Sequence, residues 1–502
     1  MKTIEQWDIF EISIKGSIIK QPFNQSIKGE FTFCQNTQVV DGFYDGNQIF
    51  KVRFMPSFIG EYQYKIYGEG IESVVGTFKV TKASQNNHGP VRVASQCHFA
   101  YEDGTPYYCV GTTCYAWHVQ NENIQNQTIE TLKNSCFNKL RFCIFPKHYD
   151  YNLNEPILYP FEKGNQEGLD KNQVQKAFVF PPVKNPNMDF NFYQYNVEFF
   201  KHLDKCLAQL KDLNIEADLI LFHPYDRWGN NKMRKEADDA YLKYVIARFS
   251  SYRNVWWSLA NEYDLMPQKS IADWERYASI IMEKDIYQHL RSIHNCMAFY
   301  DHHRPWITHC SLQRQDLYRH VEYTDEYQQK WQKPIVWDEI AYEGNINHGW
   351  GNISPQELVR RFWEGSLRGG YVGHSETYMH PDNILWWSHG GIMHGQSEPR
   401  LKFLLSILKQ TPSLGLKRIA GNFDELVATA NTPFESGYKI YYYGFMRPSF
   451  REFNLEEKYE VEIIDTWKMT ITSLGIKQGQ IKVPLPAKEY MAIRLKRVDT
   501  QD

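Results

Sequence analysis

Hydrophobic residues recur along the chain at two different periods, and the changes of period divide it into three stretches. In the first, about residues 1–84, Phe10, Ile12 and Ile14 alternate with Glu11, Ser13 and Lys15, and Phe50, Val52 and Phe54 alternate with Lys51 and Arg53. Tyr62, Tyr64 and Ile66 repeat the pattern after Gly60. Alternation puts one side of a strand into a core and the other into water. Asp41-Gly42 and Asp45-Gly46 supply turns, and no segment here has a helical period. The stretch predicts a small β-sandwich, and the polar run Lys82–Pro90 reads as a linker.

Between residues 85 and 414 apolar strands alternate with amphipathic helices. The predicted strands are Tyr107–Thr112, Lys139–Phe145, Ala217–Phe222, Val255–Leu259, Leu290–Ile293, Trp306–Cys310, Pro334–Trp337 and Gly370–His374. Asn196–Leu213 places Phe200, Leu203, Leu207 and Leu210 on one helical face with Asn196 as cap, and Ser354-Pro355 with Glu357 opens another helix that stops near Gly369-Gly370. Eight β/α units predict an α/β fold, a (β/α)8 barrel, preceded by a hairpin over Val91–Tyr101 turning through Glu102-Asp103-Gly104. From 415 to 502 the helices disappear; Tyr438–Tyr443, Tyr459–Ile463, Gln480–Leu485 and Tyr490–Leu495 predict a second β-sandwich.

Charge and cysteine content narrow the function. Lys+Arg of 56 against Asp+Glu of 59 leaves a net charge of -3 with no long run of one sign, so nucleic acid is not an expected partner. No apolar run approaches the ~18 residues of a membrane span, and the amino-terminal MKTIEQWDIFEISIKG alternates instead of showing the basic start and apolar run of a secretion signal. Nine cysteines, none in a C-x-x-C pair, sit in apolar segments as at Cys109, Cys136, Cys143 and Cys206, which suits a reducing compartment. The expected setting is the cytoplasm. The compositional surplus is aromatic, 15% of the chain.

Function in such barrels sits where strands end at their carboxyl face. Strand four ends in Asn261-Glu262 and strand seven in Asp338-Glu339, so two glutamates face each other across the predicted mouth. Paired carboxyls at that position suit glycoside hydrolysis, in which one protonates the leaving oxygen and the other attacks the anomeric carbon. Asp338 and Glu343 compete with Glu339; alternation sets Ile335, Trp337 and Glu339 on one face and Val336 and Asp338 on the other, and the face turned inward decides.

The segments Gly42–Gly46, Arg53–Pro56, Trp257–Glu262 and Trp386–Gly391 resemble bacterial proteins that carry an apiosidase-like barrel between two immunoglobulin-like domains, within clan A of the glycoside hydrolases. The resemblance implies Glu262 as acid/base, Glu339 as nucleophile, Asn261 as the partner of the substrate 2-hydroxyl, and Arg141 as the arginine beneath the nucleophile. Many clan members place proline after the acid/base glutamate, whereas Tyr263-Asp264 follow here.

His148 and Trp228 in the loops, and His223, His309 and His374 with Glu376 at predicted strand ends, are expected to touch substrate, as is Trp117 after strand one and Trp387 after strand eight. His223, His294 and His309 with a carboxylate would alternatively hold a metal, as in amidohydrolase-type barrels. Those barrels need a His-x-His at strand one, where this chain reads Gly111-Thr-Thr-Cys-Tyr-Ala-Trp117-His118, so neither metal nor cofactor is expected. Tyr115, Tyr149, Tyr151, Tyr342, Trp350 and Trp386 crowd the same loops, and the long segment from Pro146 to Asn191 is expected to wall the site. The expectation is an exo-acting retaining glycosidase on an oligosaccharide or glycoside; a catalytically silent glycan-binding protein and a metal-dependent barrel hydrolase are the alternatives.

Overall fold

The computed structural model describes residues 1–174, 188–379, 385–422, 425–434 and 436–498. Eight parallel strands line up in the central stretch: β1 (Val110–Thr113), β2 (Lys139–Cys143), β3 (Glu216–Phe222), β4 (Val255–Ala260), β5 (Arg291–Ser292), β6 (Cys310–Leu312), β7 (Ile335–Trp337) and β8 (Tyr371–His374). Their order is β5-β4-β3-β2-β1-β8-β7-β6, and a parallel bridge between His294 and Ser311 joins the two ends into a near-closed barrel. β3 and β4 are buried at every position, which is why they read as unbroken apolar runs.

The helices follow the sequence signals. Helix Val197–Asp212 is capped by Asn196, whose side chain accepts from the Glu198 amide at 3.1 Å, and its Phe200, Leu203, Leu207 and Leu210 are fully buried. Helix Pro355–Leu367 is capped by Ser354 accepting from the Glu357 amide; the Glu357 carboxylate does not complete a capping box but binds Arg360 and Arg361. The hairpin ahead of β1 pairs Val91–Ser95 with His98–Tyr101 through a turn at Gln96-Cys97, and the chain turns again through Glu102-Asp103-Gly104, where Ala100 forms an antiparallel bridge with Pro106. Phe99 on that hairpin packs with Trp256, Leu290, Val336 and Tyr371, closing the amino-terminal end of the barrel with apolar side chains.

The amino-terminal stretch is a two-sheet sandwich, one sheet of five strands and one of three. Phe10–Lys15 pairs antiparallel with Ile49–Phe54 in the register Phe10↔Phe54, Ile12↔Val52, Ile14↔Phe50, as the alternation requires. Arg53, predicted to face water, is instead buried against the barrel, where it bonds Asp204.

The carboxyl-terminal stretch forms one six-stranded antiparallel sheet. Its long strands Phe450–Asp465 and Thr470–Pro484 carry register shifts after Leu455 and Glu460, and beyond them Leu455, Val483 and Leu485 pack over Tyr443, Ile493 and Leu495. Bulges of this kind bend a strand, so a single sheet provides both layers. Its other face meets the barrel, with Tyr442 stacked on Trp363 of helix Pro355–Leu367.

Candidate active site

Below the mouth, β2 sends Lys139 and Arg141 into the barrel. Lys139 Nζ lies 2.8 Å from Asp218 and 2.6 Å from Asp338, and Arg141 Nε lies 3.8 and 3.9 Å from the same two carboxylates. Asp338 is therefore an inward, fully buried partner of two cations, whose charges hold its carboxyl well below the usual range against the cost of burial. It has no access to a cavity. Glu339 escapes the alternation because β7 ends at Trp337; the chain turns there, and Glu339 reaches the cavity while Trp337 packs outward and donates to Thr324.

The cavity at the mouth has a volume of about 310 Å³ and is lined by residues following seven of the eight strands and by the segment after β8. Asn261 and Glu262 come from the end of β4. Glu262 sits in the left-handed backbone region with φ 52° and ψ 56°, a conformation that costs a non-glycine residue about 1–2 kcal/mol and is retained where surrounding contacts over-determine it. Gln313 and Tyr225 supply those contacts: Gln313 Nε2 donates to Glu262 Oε1 at 2.8 Å and the Tyr225 hydroxyl donates to Oε2. Glu339 accepts from the Tyr115 hydroxyl, with Arg141 Nη1 at 3.9 Å. Arg141 Nη1 also donates to Asn261 Oδ1 at 2.8 Å, which turns the Asn261 amide nitrogen toward Glu262 at 3.3 Å.

Burial raises the Glu339 carboxyl to about 7, with the neighbouring Glu262 charge acting in the same direction; Arg141, the Tyr115 hydroxyl and Lys147 oppose it. Glu339 therefore retains its proton at pH values where an ordinary glutamate has lost it.

The structure brings together Glu262, Glu339, Asn261 and Trp387 of the residues expected from the sequence, along with Tyr115, Tyr149, Tyr342 and Trp350. Arg141 stays beneath the cavity and acts through Asn261 and Glu339. Seven others lie elsewhere. Trp117 is fully buried against Phe142 in the layer between strands and helices. Trp228 is buried and its Nε1 donates to Glu155, with His148 packed edge-on against it at 6.2 Å. His223 bonds the Phe145 carbonyl at 3.2 Å. His309 precedes β6, since that strand starts at Cys310, so it sits at the amino-terminal end among Phe99 and Trp256. His374 stacks on Phe137 and bonds Thr112 on the outer side of β1, and Glu376 accepts from the His394 and Gly395 amides.

Glu343, His374 and Glu376 form the one cluster among the described residues whose ligand atoms fall within 4.8 Å of one another. Glu343 is occupied by the Gln396 and Ser397 amides and the Ser397 and Tyr378 hydroxyls, so the cluster is accounted for as a clamp on the segment leading into helix Glu398–Leu408. His223, His294 and His309 are not part of any such cluster.

The lining residues not singled out from the sequence include Lys147, Tyr225, Cys296 and Gln313. Each lies within four residues of the end of its strand, which was the available signal. Of the wall expected over Pro146–Asn191, Lys147 and Tyr149 line the cavity, and residues 175–187 lie outside the described residues.

Residues 94–397 match the apiosidase-like catalytic domain family, flanked by matches to two domains of unknown function, DUF5060 over 3–69 and DUF5605 over 426–496. A crystal structure of a candidate glycoside hydrolase from Bacteroides vulgatus ATCC 8482 superposes with a TM-score of 0.91 at 35% identity, covering 99% of this chain and 100% of that one. A second solved glycoside hydrolase, at 14% identity and a TM-score of 0.58 over 84% of this chain and 100% of its own, shares the fold. A search of the curated proteins returns no match.

Proposed function

The chain belongs to the apiosidase-like family of glycoside hydrolase barrels, and on that premise we propose that it is a retaining, exo-acting glycosidase with Glu339 as nucleophile and Glu262 as acid/base. The observation that carries the reading is that these two glutamates, from the ends of β4 and β7, line one cavity with different partners. Glu339 has Arg141 and the Tyr115 hydroxyl to stabilise its charge, as a nucleophile needs. In the first step a Glu339 oxygen forms a bond to the anomeric carbon as the glycosidic C–O bond breaks, and Glu262 gives its proton to the departing oxygen. In the second, Glu262 takes a proton from water, the water oxygen bonds the anomeric carbon, and Glu339 leaves as carboxylate. Asn261, held by Arg141, is placed to bond the sugar hydroxyl beside the reacting carbon.

A cavity of about 310 Å³ is at the small end of the ~300–1,000 Å³ range of ligand pockets, and Trp350 and Trp387 stand in its wall, which supports capture of one terminal sugar rather than a long chain. We also place the enzyme in the cytoplasm, a reading supported by nine cysteines that are all unpaired thiols. The test is a panel of chromogenic aryl glycosides followed by trapping with a fluorinated glycoside of the sugar released. Label on Glu339 and loss of hydrolysis in Glu339→Ala support the assignment; hydrolysis surviving in Glu339→Ala, or no hydrolysis across the panel with glycan still bound, overturns it in favour of another nucleophile or a binding protein.

A further inference from the structure

Lys147 is a buried ammonium with an unusual shell. Its side chain is 2% exposed, yet it lines the cavity. Its Nζ lies 3.5 Å from the ring centre of Tyr115, 4.4 Å from Tyr225, 4.6 Å from Trp387 and 5.1 Å from Tyr149. None of the ion pairs among the described residues includes it. Aromatic faces attract a cation but carry no net charge, so the field of this ammonium is left to act on what stands behind the rings: Tyr115 and Tyr225, which it touches, carry the hydroxyls that bond Glu339 and Glu262 in the same cavity.

The other cations at the barrel centre have partners of their own, although Arg141 also comes within 3.9 Å of Glu339. Lys139 and Arg141 meet Asp218 and Asp338, two against two, beneath the cavity. Above that layer the cavity is lined by two glutamates, the buried Lys147 and the half-buried Arg314, whose guanidinium lies over the Tyr323 ring and donates to the Tyr327 hydroxyl, so Lys147 is the buried cation left to face the pair. Its charge is matched when one carboxyl is ionised and the other protonated, which is the resting state that double displacement requires. Resting on the glycosidase reading, we propose that Lys147 is a positioning residue for the reaction: its caged ammonium is the counter-charge that keeps one glutamate of the pair ionised while the other carries the proton.

The groups facing both ends of this interaction agree with it. Around Lys147 stand Cys143, His223, Arg141, the two glutamates and the phenols of Tyr115, Tyr149 and Tyr225; burial lowers the amine to about 8, and Arg141 adds to that, while Cys143, Glu262 and Glu339 hold it up, so it remains a cation at neutral pH. Around Glu339 stand Glu262, Arg141, Tyr115 and Lys147, with Tyr342 beyond. The four rings also explain why the cation persists without an ion pair among the described residues, because each offers a desolvated ammonium the negative face of its π system.

The experiment measures kcat/KM against pH for the parent, Lys147→Met and Lys147→Arg with the aryl glycoside that the parent cleaves. Met fills the cage with an apolar chain of similar length. Expected is an acid limb displaced from about pH 7 to about pH 8 in Lys147→Met, a roughly tenfold loss at pH 6 with less than about threefold change on the plateau, and a limb left in place by Lys147→Arg. Lys147→Gln is read in the same way if the Met variant does not fold. A folded, uncharged variant whose kcat/KM falls equally at every pH, or whose limb stays put, would overturn the proposal and leave Lys147 a packing residue. Retained hydrolysis in Glu339→Ala would instead count against the catalytic assignment itself, so the two failures are separable.

Discussion

The contact between the amino-terminal sandwich and the barrel supplies a prediction that does not depend on catalysis. Arg53 leaves the sandwich edge and enters a buried network: Nη1 is 2.6 Å from Asp204 Oδ1 and 2.7 Å from the Arg248 carbonyl, Nη2 is 3.2 Å from Asp204 Oδ2, and Nε is 2.8 Å from Glu11. Its guanidinium also lies over Phe43 and Tyr252 at 5.0 and 5.6 Å. Arg248 shares Asp204 at 2.6 Å and reaches Asp45 at 2.8 Å. Replacing Arg53 by Met preserves much of the volume but removes one cation from a set in which Arg53, Arg248 and Lys51 meet Glu11, Asp45 and Asp204. Breaking a buried pair costs about 3–5 kcal/mol; because Asp204 keeps Arg248 and Glu11 is partly exposed, the lower end, about 3 kcal/mol, is expected. At about 2.1 cal/mol/K of unfolding entropy per residue, that loss lowers Tm by about 4 °C if sandwich and barrel, about 400 residues, melt together. It lowers Tm by nearly 20 °C if the roughly 80-residue sandwich melts alone. Calorimetry of Arg53→Met, Asp204→Asn and the double variant measures this, and the shared network favours the joint transition. A single variant within 1 °C of the parent, or strict additivity in the cycle, would refute the claim that this network joins the two domains.

Two further outcomes follow from the cavity. With Glu339 raised to about 7, the acid limb of kcat/KM in the parent enzyme is expected near that value, because the nucleophile acts only when ionised; at pH 5.5 the activity should stand about 30-fold below its plateau. A limb near the 4.5 of an ordinary glutamate would show that Glu339 is not held as described. Two tryptophans that look alike in sequence should also separate: Trp117→Ala, emptying a fully buried core position, is expected to cost about 3–5 kcal/mol in urea unfolding with little change in kcat/KM per folded molecule, whereas Trp387→Ala at the cavity wall should lower kcat/KM severalfold with a smaller loss of stability.

The barrel was legible because its signals are local. Strands such as β3 and β4 are short, largely apolar runs of the right length, and the caps at Asn196 and Ser354 are set by neighbours three residues away or fewer. Glu262 and Asn261 were legible for the same reason, standing where an apolar strand stops. Boundaries were less legible, and one error had a functional consequence: placing the sixth strand at Trp306–Cys310 put His309 at the wrong end of the barrel, when the hydrogen-bonded strand runs Cys310–Leu312. Periodicity also misleads past a strand end, as at Glu339, where the turn after Trp337 brings the side chain to the cavity.

The sequence by itself determined the strand count, the three-part order and the candidate pair of glutamates, all of which follow from hydrophobic period and from where polar residues interrupt it. Tertiary structure alone decided which polar and aromatic residues reach the cavity. Tyr225 and Lys147 enter it while His223 and Trp228, a few positions along the same segments, turn into the packed interior. The reason is physical: direction within a loop is set by contacts between segments far apart in sequence, such as the Tyr115 amide bonded to the Trp387 carbonyl. The cage of rings and the two glutamates around Lys147 likewise exist only once the ends of six strands come together.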